Sequence, residues 1–232
     1  MSDAIVNLVP SRRDIVRTLA LSLTAAGGGV MDLEAAQHVH EEAAAQKKTG
    51  PYHPKAFQPH QYKTITRLAE LIVPADDVSG SAVDAGAPEF IDLLASQNAR
   101  LAQIFHGGLA WLDAEMRTRH DKPFTECTPA QQTALLDLLV AAERAERDRK
   151  AEETIYQRSP NYRQFSNYTV KRPSPLGPGM AFFDWVRKMT VDAFYTSPIG
   201  IKDLGYAGNK GMTKYVVPQE AIDWAIRHSP LA

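Results

Sequence analysis

Leu101-Ala102-Gln103-Ile104-Phe105-His106-Gly107-Gly108-Leu109-Ala110-Trp111-Leu112-Asp113-Ala114-Glu115-Met116 is the stretch whose reading decides the fold. Its apolar residues Leu101, Ile104, Phe105, Leu109, Leu112 and Met116 recur at three- and four-residue steps, the period of one helix face. A half-buried strand would alternate every second residue instead. The period predicts an amphipathic helix from Arg100 to Arg119. Gly107 and Gly108 sit in its middle and cost about 1 kcal/mol each on helix propensity. A glycine pair in that position marks close packing against another helix.

The same period extends outward in both directions. Upstream, Tyr62, Ile65, Leu68, Ala69 and Ile72 predict a helix from His60 to Val73, ended by Pro74. Pro88 suits the first turn of a helix that carries Phe90, Ile91, Leu94 and Ala95. The intervening loop holds Asp76, Asp77 and Asp84, which lack the spacing of a calcium loop and read as turn and cap residues. Downstream, Thr128-Pro129-Ala130-Gln131 is a capping box. It opens a helix carrying Leu135, Leu136, Leu138, Leu139 and Ala142, which runs into a solvated charged face from Glu143 to Glu153. Phe182, Phe183, Val186, Met189, Thr190, Ala193 and Phe194 predict a helix from Met180 to Tyr195, stopped at Thr196-Ser197-Pro198. A short helix is expected from Pro218 to His228, and one candidate strand at Tyr215-Val216-Val217. The expected fold class is all-α: a single irregular helical domain of about five or six helices with long loops, over residues 60–232. Residues 1–31 precede it as a signal-like segment and residues 32–59 as a tether, part of which is compatible with helix.

The chain has 232 residues, 44% of them apolar, enough to build a core. Lys plus Arg is 26 and Asp plus Glu 27, a formal net charge of −1, which argues against a basic nucleic-acid binder. A single cysteine, Cys127, excludes an internal disulfide, a four-cysteine zinc site, an iron–sulfur cluster held by this chain alone and covalent c-type haem. No uncharged stretch reaches the length of a membrane span.

Ser11-Arg12-Arg13-Asp14-Ile15-Val16-Arg17 is followed by Thr18-Leu19-Ala20-Leu21-Ser22-Leu23-Thr24-Ala25-Ala26, and nothing charged appears from Thr18 through Met31. A basic head and a short, weakly apolar run resemble a twin-arginine export signal. The expected destination is the periplasm, reached by a route that carries folded proteins. The competing reading is an amphipathic surface helix. No Ala-x-Ala cleavage site follows the run directly; Ala43-Ala44-Ala45 lies far downstream.

Motifs for chemistry are sparse. Gly177-Pro178-Gly179 lacks the third glycine of a dinucleotide fingerprint, and the glycines from Gly205 to Gly211 lack the Lys-Ser/Thr ending of a phosphate loop. His38 and His40 read as surface histidines, and His53 and His60 have no third ligand at a telling distance. His106 reads as a packed residue rather than a general base. The expectation is therefore no catalytic residue, bound cofactor or metal in this chain. Residues 154–178 form an aromatic, proline-rich excursion of the kind that binds partners. Tyr156, Arg158, Tyr162, Arg163, Phe165 and Tyr168 are its interface candidates, joined by Tyr195, Ser197 and Tyr206 from the following turn. Cys127 lies in a connection where it is expected at the surface, with an intermolecular disulfide favoured over a buried thiol.

Three stretches carry a family resemblance. They are Leu68-Ala69-Glu70-Leu71-Ile72-Val73-Pro74-Ala75-Asp76-Asp77 with Ala85-Gly86-Ala87-Pro88-Glu89-Phe90-Ile91-Asp92; Phe182-Phe183-Asp184-Trp185-Val186-Arg187-Lys188-Met189-Thr190 with Tyr195-Thr196-Ser197-Pro198; and Leu204-Gly205-Tyr206-Ala207-Gly208-Asn209. In order and spacing they resemble gluconate 2-dehydrogenase subunit 3, the family that includes the gamma subunit of bacterial glucose dehydrogenase. The resemblance implies a non-catalytic small subunit of a periplasmic or membrane-associated sugar dehydrogenase, acting on gluconate, glucose or a glycoside. It implies an FAD-bearing catalytic partner of the glucose–methanol–choline class, with a multihaem cytochrome c as a possible third subunit. The small subunit would carry the export signal and assist the flavoprotein's folding and export. Two rival readings stand beside it: a periplasmic glycan-binding module using the tyrosines, and a stand-alone helical enzyme using His106 and the Asp76–Asp77 region.

The twin-arginine reading gives a direct test, because the export receptor recognises the arginine pair and not the net charge. Arg12→Lys with Arg13→Lys is expected to abolish periplasmic delivery in cell fractionation. A partner without its own signal would then stay in the cytoplasm.

Overall fold

The computed structural model describes residues 33–157, 174–205 and 217–227. Among them are eight α-helices: α1 (Leu33–Lys47), α2 (Pro59–Ile72), α3 (Ala87–Gln97), α4 (Ala99–His120), α5 (Pro129–Gln157), α6 (Gly177–Tyr195), α7 (Pro198–Asp203) and α8 (Gln219–Arg227). A single 3₁₀ turn, Phe124–Glu126, joins α4 to α5. No strand occurs among the described residues, so the all-α expectation holds. Of the candidate strand only Val217 is described, and it lies outside any strand.

The helix count exceeds the expected five or six because α1 and α7 carry little sequence signal. Residues 32–59 were expected to be a tether, yet α1 packs onto α3 and buries Ala36, Val39 and Ala43. These are small side chains at helical spacing, a stripe too narrow to stand out from an Ala-rich, acidic segment. The rest of that segment is also held: Phe57 is buried, with its ring 5.7 Å from Phe105. The short α7 turns back after Ser197, whose hydroxyl accepts from Gly200 N and donates to Phe194 O.

The centre of the bundle is α6, which touches α2, α3, α4, α5 and α7. Phe182, Phe183, Val186, Met189, Thr190, Ala193 and Phe194, the face predicted from the period, are all buried. Its closest approach is to α4, and glycine makes that approach possible on both sides. A Cβ on Gly108 would lie 2.0 Å from Phe182 Cγ, and one on Gly179 would lie 2.2 Å from Trp111 Cη2. Phe105 and Phe182 then meet edge to face at 5.7 Å. Of the glycine pair, only Gly108 serves the contact; Gly107 is exposed with open space around it.

The capping box at α5 forms as read. Thr128 N donates to Gln131 Oε1 at 2.9 Å, and Gln131 N donates to Thr128 Oγ1 at 3.3 Å. Farther along, Arg187 of α6 makes a forked pair with Glu143 at 3.0 and 2.9 Å, where the charged run begins. The preceding connection corrects one expectation. Cys127 is only 7% exposed and directs its Sγ to Lys122 O at 3.7 Å. Burial pushes its thiol pKa up. The side chain belongs to the hydrophobic core and does not lie at the surface, where the sequence places it.

Two adjacent substitutions should shift stability in opposite directions. Gly107→Ala gains helix propensity and is expected to stabilise by up to about 1 kcal/mol. Gly108→Ala gains the same propensity but drives a methyl group into Phe182, and overpacking of that kind costs about 1–3 kcal/mol. Urea unfolding midpoints of the two variants, measured side by side, check the order.

Candidate functional site

A cleft of about 490 Å³ lies between α1, the turn before α3 and the start of α7. Gln37, His40, Ala44 and Lys47 line it from α1, Asp84 and Gly86 from the turn, and Thr196, Pro198 and Ile201 from the far side. Two stretches that carry the family resemblance, Ala85-Gly86 and Thr196-Ser197-Pro198, thus meet across one opening. Over a hundred residues separate them in sequence.

Each wall is fixed by local chemistry. Asp84 Oδ2 accepts from Ser81 N and Ser81 Oγ, both at 2.8 Å, which fold the turn and hold the Asp84 carboxyl below its ordinary pKa. Gly86 follows with φ 83°, a left-handed conformation that disfavours side-chain-bearing residues, and caps α3. On the opposite wall Gly200 is obligatory, since a Cβ there would stand 2.1 Å from Phe194 O. The floor is His40, tilted against Phe90 at 4.9 Å between centroids. Thr196 Oγ1 donates to Asp192 O at 2.6 Å, so it accepts from His40 Nε2 at 3.1 Å. Burial lowers the His40 pKa, opposed by a hydrogen bond to the Ala193 backbone.

Behind the cleft, Lys47 Nζ pairs with Glu89 Oε1 at 2.5 Å. Burial and the neighbouring Glu89 raise the pKa of Tyr62. Deeper still, the fully buried Asp92 accepts from Tyr52 Oη at 2.7 Å and from three backbone N–H groups, of Lys55, Ala56 and Phe57. Burial and the Asp92 bond raise the Tyr52 pKa as well.

A second, smaller cleft of about 270 Å³ lies on the other side of α7, between Val78-Ser79-Gly80 and Ile199, Lys202 and Asp203. Asp76 Oδ1 shapes this loop by accepting from Val78 N and Ser79 N, each at 2.8 Å. Asp76 and Asp84 are therefore turn residues, as read. Val78 is left 80% exposed and Leu204, at the end of α7, 60% exposed. With Tyr195, 38% exposed, they give the α7 region a partly apolar surface.

The interface candidates divide. Tyr195 is on the surface as expected. Ser197 is corrected: it is 1% exposed and serves as the N-cap of α7. Tyr156 sits in α5, but its side chain, like Arg158, Tyr162, Arg163, Phe165, Tyr168 and Tyr206, lies outside the described residues, as do Ser11, Arg12 and Arg13. His106 packs edge-on against Phe57 at 5.5 Å, the packed role read for it. Sequence reasoning missed the His60–Asp113 pair, at 2.6 Å, in which Asp113 Oδ1 also accepts from Phe124 N. Fifty-three positions separate those two residues, and no local pattern links them. His40 was read as a surface histidine and is the floor of the cleft; its signal was its place one turn from the buried Ala36 and Ala43. Among the described residues no three His, Cys, Asp or Glu side chains are grouped to hold a metal, and no helix is long and apolar enough to cross a membrane.

Fold and site together define an all-helical scaffold whose cleft side chains hold turns, caps and helix contacts in place and which offers a partly apolar surface around α7. The family model for gluconate 2-dehydrogenase subunit 3 matches residues 59–212, well over half of the chain, and the chain belongs to that family, whose members are subunits of a dehydrogenase complex. Comparison with curated proteins and with solved structures found no match.

The buried imidazole gives a pH signature. His40 has a folded pKa below its ordinary 6.5, so the unfolded chain takes up its proton first as pH falls. Its contribution to stability is complete above 6.5 and declines between 6.5 and the lower folded value. Urea unfolding at about pH 8 and about pH 5 should show a smaller loss for His40→Gln than for the wild type.

Proposed function

We propose that this chain is the non-catalytic small subunit of an FAD-dependent sugar dehydrogenase. It carries a twin-arginine signal at Arg12-Arg13, reaches the periplasm, and assists the folding and export of its flavoprotein partner. The partner is of the glucose–methanol–choline class and oxidises the sugar; a multihaem cytochrome c is the natural electron acceptor. The observation that carries this reading is the meeting of the family stretches around α7, with exposed Val78, Tyr195 and Leu204 beside them, in a chain of this family. A surface built from rigid caps and turns, with apolar side chains left outside, suits a protein partner.

The described residues contain no strand and so no strand–turn–helix cradle of the dinucleotide-binding kind. In this proposal the flavin belongs to the partner, and no redox step is routed through this chain. His40 and Asp84 are each engaged in holding a wall of the cleft. That arrangement supports docking over turnover.

The test is co-expression with a flavoprotein of the glucose–methanol–choline class from the same genome. A yellow complex with sugar:dye oxidoreductase activity is expected, and the isolated chain should show neither flavin absorbance nor activity. Val78→Glu combined with Leu204→Glu alters exposed positions, so the fold should survive. Association is expected to weaken by about 2 kcal/mol, roughly thirty-fold, in a pull-down titration. Full recovery of the complex by that double variant would move the interface elsewhere.

A further inference from the structure

Helix α1 (Leu33–Lys47) begins two residues after Met31, where the uncharged run of the proposed export signal ends. The nearest Ala-x-Ala sequence downstream of that run, Ala43-Ala44-Ala45, lies inside this helix. A signal peptidase reads small residues at the first and third positions before the bond it cuts. Proteolysis also needs exposed chain that can be drawn out of its regular structure. Ala43 offers neither: it is 4% exposed and packs with Ala36 and Val39, both 0% exposed, on the side of α1 that meets α3. Polar contacts add to the hold. His40 Nε2 donates to Thr196 Oγ1, Lys47 pairs with Glu89, and Lys55 Nζ donates to Glu42 Oε1 at 3.1 Å.

The twin-arginine route delivers folded cargo, so α1 is already docked when a peptidase meets the chain. A cut after Ala45 would require α1 to be pulled from α3, lifting His40 off Phe90 and taking the first wall from the cleft. Keeping the signal as an anchor fits poorly as well. Residues 18–31 would span only about 21 Å as a helix, against the about 30 Å of a bilayer's hydrocarbon core. Small residues instead crowd the end of the run, in the order Thr24-Ala25-Ala26-Gly27-Gly28-Gly29. Each of the four bonds after Ala26, Gly27, Gly28 and Gly29 therefore has a small residue at both positions that the peptidase reads. These residues lie outside the described ones, and the choice of bonds rests on the sequence, whereas the exclusion of Ala45 rests on the packing of α1.

We propose that the export signal is removed by hydrolysis of one of those four bonds, and that α1 is kept whole in the mature subunit. A membrane-bound signal peptidase is the catalyst. Water supplies the hydroxyl of the signal fragment's new carboxyl group and the hydrogen of the subunit's new α-amino group. The inference rests on the twin-arginine reading and goes beyond it, because it assigns the processing site and what survives it.

The experiment expresses the full chain together with a flavoprotein of the glucose–methanol–choline class from the same genome. The periplasmic fraction is recovered, and the small subunit is read by intact mass and N-terminal sequencing. A chain beginning at Gly27, Gly28, Gly29 or Val30 is expected. Two variants sharpen the reading. Gln at all four positions, Ala26→Gln/Gly27→Gln/Gly28→Gln/Gly29→Gln, leaves no small residue directly before any of the four bonds and should leave the delivered chain at full length. Ala45→Gln changes an exposed position of α1 and should leave the processed mass altered only by the substitution itself. A mature chain beginning at Gln46, or processing abolished by Ala45→Gln, overturns the retention of α1. A wild-type chain found at full length in the periplasm, or cut elsewhere, overturns the processing site while leaving the export reading intact. A chain that never leaves the cytoplasm overturns both.

Discussion

Asp92 is the interaction on which the arrangement depends. It is fully buried in α3, a helix that touches α1, α2, α4 and α6. A carboxyl group taken out of water is costly unless its oxygens are matched by donors. Four donors match it, and all come from Tyr52–Phe57, the strand-free crossing between α1 and α2. The side chain thereby does for that crossing what an apolar residue cannot: it satisfies three backbone N–H groups that would otherwise be buried without partners. With the crossing fixed, Phe57 reaches Phe105 and α1 is delivered to α3, and only then does the cleft have its first wall.

The second constraint is reciprocal glycine at the α4–α6 contact. Gly108 admits Phe182, and Gly179 admits Trp111. Large and small residues exchange places across the same crossing, so neither helix can slide without losing both fits. Because α6 also leads into α7 through the Ser197 cap, the position of the cleft's far wall follows from that crossing. The fold of the core and the geometry of the proposed docking surface are therefore one problem, solved by the same few side chains.

Much of this was legible in the sequence where large apolar residues repeat. The buried face of α6 was read residue by residue, as were the Thr128 capping box, the turn roles of Asp76 and Asp84, and the packing role of the Gly107–Gly108 region. What escaped reading had a physical reason each time. The buried face of α1 is made of alanines and one valine, whose transfer energies hardly rise above those of an exposed Ala-rich helix. The cap of α7 uses a serine that looks like any turn serine. Asp92 is matched by donors 35–40 positions away, and the His60 partner of Asp113 lies 53 positions away. Cys127 was misplaced because a position between elements suggests exposure, whereas the 3₁₀ turn at Phe124–Glu126 folds the connection inward.

That inward fold makes Cys127 useful in a way unrelated to bonding. It is the single thiol of the chain, shielded and with its pKa raised, so an alkylating reagent meets it chiefly when the connection between α4 and α5 comes apart. The rate of thiol modification thus clocks the opening of one defined place in the bundle. The molecule carries its own timer for the loosening of the segment that joins its two longest helices, and it needs no engineered label to be read.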